Sequence, residues 1–255
     1  MAEPNFLTMT SRTVTLASET DAAGFRREAR ALLACLVAPD QVRWQTARPS
    51  PASLFTTAAA TRGAPPHAAS AGNLLLPRSF LSLCDTVILH KSPSRLGLLY
   101  ELLWRAVHEP GLMGNPLDPE RLEALHMAQA VRRDMQKMKA LIVFRSFIEE
   151  VEEAGEDAQG APPLQLAWYE PDHHILERMA PFFARRQQAP WTILTPERSV
   201  RWRREQLEFA PGVPIDDVPS RNAPAREWLD CYRAVFRGAA ADADQPAAEL
   251  QSRAQ

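Results

Sequence analysis

Cysteine is scarce in this chain. There are three residues, Cys35, Cys84 and Cys231, far apart and in no CxxC pair. That argues against a disulfide framework, a zinc knuckle and a cysteine-ligated iron–sulfur cluster, and it fits a reducing, cytoplasmic setting. Lysine is equally rare: Lys91, Lys137 and Lys139 are the only ones among 29 basic residues. With the abundant alanine, this reads as a GC-rich coding bias, which weakens any single arginine as a mark of phosphate binding. No run of about 18 apolar residues occurs, so no segment is expected to span a membrane. The start, MAEPNFLTMTSRTVTL, lacks the basic beginning and apolar core of a signal peptide. Also missing are GxGxxG, a Walker A loop and a GxSxG nucleophile elbow, and no cofactor is implied.

What is present is ordinary globular material. The 255 residues (28.5 kDa) are 45% hydrophobic and 24% charged, which fits one large domain or two small ones. The net charge of −2 and pI of about 6.3 give no global basic field. Thr13–Leu16 reads as a strand, and Asp21 as the cap of a helix with Phe25, Ala29, Leu32, Leu33 and Leu36 on one face. Val42–Trp44 reads as a second strand. Residues 45–72, rich in Pro, Ala, Ser and Thr, form a linker or loop with a solvated His67.

Three helices are expected next. The first starts at Pro77 with Phe80, Leu83, Cys84, Val87 and Ile88 inward, which makes Cys84 a packing residue. The second is capped by Ser92 and buries Leu96, Leu99, Tyr100, Leu103, Trp104 and Val107. The third is capped by Asp118 ahead of an N1 proline and buries Leu122, Leu125, Val131, Met135 and Met138. Ala140–Phe147 and Leu164–Tyr169 read as a β-hairpin around the acidic loop Glu149–Asp157. A helix begins near Pro171-Asp172, with Pro181 expected to kink or split it. Strands follow at Trp191–Leu194, Val200–Arg203 and Leu207–Phe209, then a helix with Trp228, Tyr232 and Phe236.

The expected class is therefore α+β, a helical centre packed with short antiparallel strands behind an N-terminal strand–helix–strand unit. In domain terms, residues 1–11 are disordered, 12–44 form the strand–helix–strand unit and 45–72 the linker. Residues 73–237 form the main domain and 238–255 a disordered tail.

Three segments could carry chemistry. Arg132, Arg133, Lys137 and Lys139 cluster at the end of the third helix, and Arg133 and Lys137, four apart, share a face. They read either as a phosphate-contacting edge or as cations answering the helix dipole, with Asp134 available to neutralise one. In Asp172-His173-His174 a strand hands over to a helix. Adjacent histidines on a helix diverge by about 100°, and no third nitrogen or sulfur ligand is placed by spacing, so a metal is disfavoured. One histidine could act as acid, base or phosphate donor, oriented by Asp172 or Glu170; otherwise Asp172 caps, one histidine packs and the other is solvated. Third, Phe182, Phe183, Arg185 and Arg186 put aromatics beside arginines, which suits single-stranded bases, although phenylalanines at helical spacing also suit a core. Residues 185–204 hold six arginines, including Arg198, Arg201, Arg203 and Arg204, against one acid, Glu197. In a mildly acidic chain that local excess points to an anionic partner.

In order along the chain, LLYELLWRAVHEPGLM, VRRDMQKMKALIVFR, WYEPDHHI, PFFARR, WTILTP and FAPGVP together resemble a bacterial family of DNA metabolism proteins, a domain of unknown function. The likeness covers about residues 12–45 weakly and 74–236 well. It implies a partner: members are encoded beside a radical-SAM protein of DNA modification or repair, and the domain also occurs fused ahead of a uracil-DNA-glycosylase-like module. It implies DNA binding by an accessory module acting with such an enzyme. The alternatives are a DNA-processing enzyme with His173 or His174 as acid–base, and a protein–protein adaptor. Two departures stand out. Gln136 replaces the family's histidine, and an Ala/Asp-rich tail after Phe236-Arg237-Gly238 replaces a basic extension.

Overall fold

The computed structural model describes residues 11–47, 56–57, 78–109, 111–147, 163–187 and 189–243. The expected N-terminal disorder, most of the linker with His67, Pro77, the acidic loop and the end of the tail lie outside these residues. The elements are β1 (Arg12–Leu16), α1 (Ala22–Ala34), β2 (Val42–Thr46), β3 (Thr56–Thr57), α2 (Arg78–Val87), α3 (Arg95–His108), α4 (Pro119–Leu141), β4 (Arg145–Phe147), β5 (Leu164–Trp168), α5 (Leu176–Arg186), β6 (Trp191–Leu194), β7 (Arg198–Arg203), β8 (Gln206–Pro211) and α6 (Ala225–Ala243). The class is α+β, with the N-terminal strand–helix–strand unit in place. Among the described residues no helix is long and apolar enough to cross a membrane.

By contacts the chain forms two compact units. The first holds β1, α1, β2, α2, α3, α4 as far as Asp134, and the tripeptide Asp172–His174. The second holds β3, α4 from Met135 onward, and the remaining elements.

In the first unit β1 and β2 pair in parallel, Val14 opposite Trp44, and α1 makes the crossover. Asp21 caps α1 as expected, its Oδ1 accepting the Gly24 N–H at 2.7 Å. A Cβ at residue 24 would meet the capping carboxylate, so the Asp21 side chain would have to shift to admit one. Phe25, Ala29, Leu32, Phe80, Leu83, Val87, Leu96 and Leu99 are buried. Cys84 is buried with them, and burial pushes its thiol pKa up to about 12, which suits an inert packing role.

Four expectations need correction here. Leu36 is not on the inner face of α1: it follows the end of the helix in a left-handed conformation and is exposed. Ser92 does not cap α3, which starts at Arg95; its Oγ instead accepts the Ser94 N–H in the preceding turn. Val107 is exposed on α3, and Leu102 takes a buried place. On α4, Leu125 is exposed, and the buried stripe is Ala124, Met127, Ala128, Val131, Asp134 and Met138. Small alanines let that face pack closely, so the stripe does not follow the largest side chains. Asp118 does cap α4, accepting the Arg121 N–H at 3.0 Å. It also takes a 2.7 Å bond from Arg105, which holds its carboxyl pKa below the usual value.

In the second unit six strands run in the order β3-β8-β7-β6-β5-β4. Most neighbours are antiparallel; β5 and β6 are parallel, joined through α5. The expected hairpin exists, with Arg145 opposite Leu166, but Ala140 and Leu141 extend α4. Residues with side chains alternating on one face (Phe147, Leu164, Leu166, Leu194, Ala210) pack on Trp228, Leu229, Tyr232 and Phe236 of α6. On the other face Trp191 meets Phe183 of α5 edge to face, 6.2 Å between centroids. Pro181 sits inside α5 without splitting it, and α6 runs on to Ala243, into alanine-rich sequence that favours helix.

Candidate nucleic-acid interface

Of the predicted site residues, three are brought together in the second unit. Lys139, near the end of α4, lays its Nζ 4.9 Å from the centroid of the Phe182 ring. On α5 the buried face is Leu176, Met179, Ala180 and Phe183. Phe182 lies on the flank of that face, half-buried. Helical spacing puts Arg178 four residues before it and Arg185 and Arg186 three and four after it, so all three project beside the ring. Arg178, Arg185 and Arg186 are exposed, and among the described residues none of them, nor Lys139, has a carboxylate partner. The acid on α5, Glu177, is turned to Arg198. One cation thus lies over the ring and three more are exposed within a helical turn of it on α5. Arg178 was not singled out from the sequence; its place one turn before Phe182 was the available signal.

The local arginine excess resolves differently further on. Arg198 pairs with Glu177, and Arg201 bonds Glu208 on β8, Nε to Oε2 at 2.6 Å. Arg201 also covers the Phe236 ring at 4.7 Å, and Arg198 the Phe209 ring at 4.9 Å. These two arginines are packing residues. Both acids lie outside the counted window of residues 185–204, one before it and one after it, which is why counting charge along the chain overstated the excess. Arg203 and Arg204 remain exposed at the β7–β8 turn.

On α4, Arg132, Arg133, Gln136 and Lys137 are exposed, with Asp134 turned inward and 2% exposed. Arg133, Gln136 and Lys137 share one side of the helix by spacing, so the position where the resembled family has histidine lies among the cations. Arg132 and Arg133 belong to the first unit, Lys137 and Lys139 to the second.

The histidine segment belongs wholly to the first unit. Asp172 does not cap a helix: Asp172–His174 is a bend, and α5 starts only at Leu176. The His173 N–H goes to Asp134 Oδ2 at 2.9 Å and the His174 N–H to the Leu89 carbonyl at 2.9 Å. His173 Nδ1 accepts the Lys91 N–H at 3.3 Å, and His90 Nδ1 accepts the Ser92 N–H at 3.1 Å. The two imidazoles lie against each other tilted by 32°, with centroids 4.4 Å apart. Burial, followed by the neighbouring His173 and Arg95, holds the His90 pKa below the ordinary histidine value. His174 Nε2 lies 3.9 Å from Glu19 Oε2. Burial raises the Glu19 pKa, but hydrogen bonds from Thr46 and Arg95 outweigh it and bring the carboxyl below its usual range. Arg95 is 3% exposed and also bonds the carbonyls of Ile88, Ser92 and Glu19.

The sequence reading missed His90, Glu19, Arg95 and Asp134 here, and placed Asp172 or Glu170 as the orienting acid. In the fold, His174 faces Glu19 and the main chain of His173 faces Asp134. Each nitrogen that accepts a main-chain N–H carries no proton, so the neutral rings of His90 and His173 bear theirs on Nε2. A metal at Nε2 would force a proton onto Nδ1 against that N–H. Among the described residues no group of three or more His, Cys, Asp or Glu could hold a metal ion.

A separate open groove of about 340 Å³ in the first unit is lined by Ser11, Asp40, Val42, Arg43, Trp44, Pro93, Ser94 and Gly97. None of the predicted site residues lines it.

Neither the curated proteins nor the solved structures contain a match to this chain. One family model matches residues 93–244, spanning α4, α5 and the cations on both, and by that match the chain belongs to the family described as Domain of unknown function (DUF4130).

Proposed function

We propose that this protein is an accessory DNA-binding module acting with a separate DNA repair or modification enzyme, of the radical-SAM or uracil-DNA-glycosylase-like kind. The observation that carries this reading is Lys139 over the Phe182 ring, with Arg178, Arg185 and Arg186 exposed within a turn of it on α5 and no carboxylate partner for any of the four among the described residues, in a chain of net charge −2. Cations left together without acids repel one another unless an anion joins them, and a phosphate backbone supplies anions at regular spacing. The resemblance to DNA metabolism proteins supports DNA over other polyanions. Arg132, Arg133 and Lys137 on α4 are further phosphate contacts in this reading.

Fluorescence anisotropy with labelled oligonucleotides, from low to moderate salt, tests it. Each neutralised phosphate contributes about −0.9 to the slope of log K against log salt on duplex DNA, or about −0.7 on a single strand. The variant Arg185→Glu/Arg186→Glu is expected to bind more weakly and to flatten the slope by about 1 to 2. No detectable affinity for single- or double-stranded DNA at low salt defeats the proposal.

A further inference from the structure

We infer that this basic patch selects single-stranded DNA, with Phe182 as a platform for one unstacked base and Lys139 as its displaceable cover. The inference rests on the DNA-binding reading and adds the strand class.

The ring is the argument. Phe182 lies beside the buried stripe of α5 and is half-buried. Phe183 meets it edge to face at 5.2 Å and 79°, which braces the ring. The Lys139 ammonium lies over it, 4.9 Å from the centroid. A cation–π contact at a partly exposed site is weak, and a lysine stem has four rotatable carbons, so this cover moves at low cost. A base stacking on Phe182 would take the place of the ammonium, which is then released toward the phosphate that follows. Arg178, Arg185 and Arg186, one turn to either side, lie where the backbone flanking that base would pass.

Duplex DNA cannot use the ring. Its base faces are covered by stacking and pairing, so a duplex would meet only the cations. A single strand offers bare base faces, and every base has one, so the platform gives strand preference without sequence preference. Loss of one base–aromatic stack corresponds to about five- to 150-fold in affinity.

The test uses the full chain, a labelled 15-nucleotide single strand and the duplex of the same sequence, each titrated at one low salt concentration. Phe182→Leu keeps apolar bulk but loses the aromatic face. It is expected to weaken single-strand binding at least fivefold and duplex binding less than twofold, with Phe182→Trp restoring the single-strand value. Thermal melts of both variants guard against a folding defect, and the tryptophan arm remains informative if the leucine variant is unstable. Equal loss on both DNAs, or no loss on either, overturns the platform while leaving the DNA-binding reading standing. Wild-type protein that binds neither DNA overturns both.

Discussion

Leu36 ends α1 in a left-handed conformation, φ 53°. Its N–H bonds the Leu33 carbonyl and that of Val37 bonds Leu32, both at 3.0 Å, which is the Schellman closure that glycine normally makes. A side chain there costs about 1–2 kcal/mol because Cβ crowds the following carbonyl. Leu36 is 71% exposed, so its removal forfeits little burial. Leu36→Gly is therefore expected to stabilise the protein by about 1 kcal/mol in chemical denaturation; an unchanged midpoint would show that the turn is not strained. Arg204 and Glu205, at φ 50° and 61°, form the β7–β8 turn in the same unusual region. Neither position was legible from sequence, because no glycine or asparagine marks it. By contrast the Asp21 cap and Asp118-Pro119 were legible, since a cap is built from residues three apart and needs no distant partner.

At the scale of elements, the helices and strands were read where their stripes are made of large side chains. Leu99, Tyr100 and Leu103 on α3, and Trp228, Tyr232 and Phe236 on α6, are buried as the periodicity requires. The α4 stripe was rotated, because Ala124 and Ala128 bury no bulk and give a weak signal, while the buried Asp134 looks like a surface residue until the His173 N–H meets it. The turn His90–Ser92 and the tripeptide Asp172–His174 make a pH-dependent pairing. His90 accepts a main-chain N–H only while neutral, and its pKa is lowered in the fold by burial, with His173, Arg95 and His174 adding to the effect. A base with a lowered native pKa makes the unfolded chain the stronger proton binder. Its contribution is therefore complete above the unfolded value near 6.5 and is lost as pH falls toward the native value. Melting temperature is expected to fall from pH 7 to pH 5, and His90→Asn to reduce that fall. A parallel fall in wild type and variant would remove His90 from the linkage.

For the whole molecule the question is which cations act on one partner. Arg133→Glu/Lys137→Glu reverses the exposed side of α4 without touching α5. If both sets contact one DNA, this variant is expected to flatten the salt slope by about 1 to 2, as Arg185→Glu/Arg186→Glu does. Combining the four reversals should then abolish binding at 0.1 M salt in the anisotropy titration. Unchanged affinity for the α4 variant would remove Arg133 and Lys137 from the interface and leave Lys139 with the α5 arginines.

The residues alone determined the α+β class, the N-terminal strand–helix–strand unit, the Asp21 and Asp118 caps and the inert Cys84. These depend on spacing along the chain, through backbone geometry that repeats every two or 3.6 residues. Only the tertiary structure decided which charges are spent. Arg198 and Arg201 looked like part of the basic excess and are held by Glu177 and Glu208, whereas Arg178 drew no attention and stands beside Phe182. Coulomb attraction and hydrogen bonding act over a few ångströms of space, and chain distance does not predict which acid comes that close.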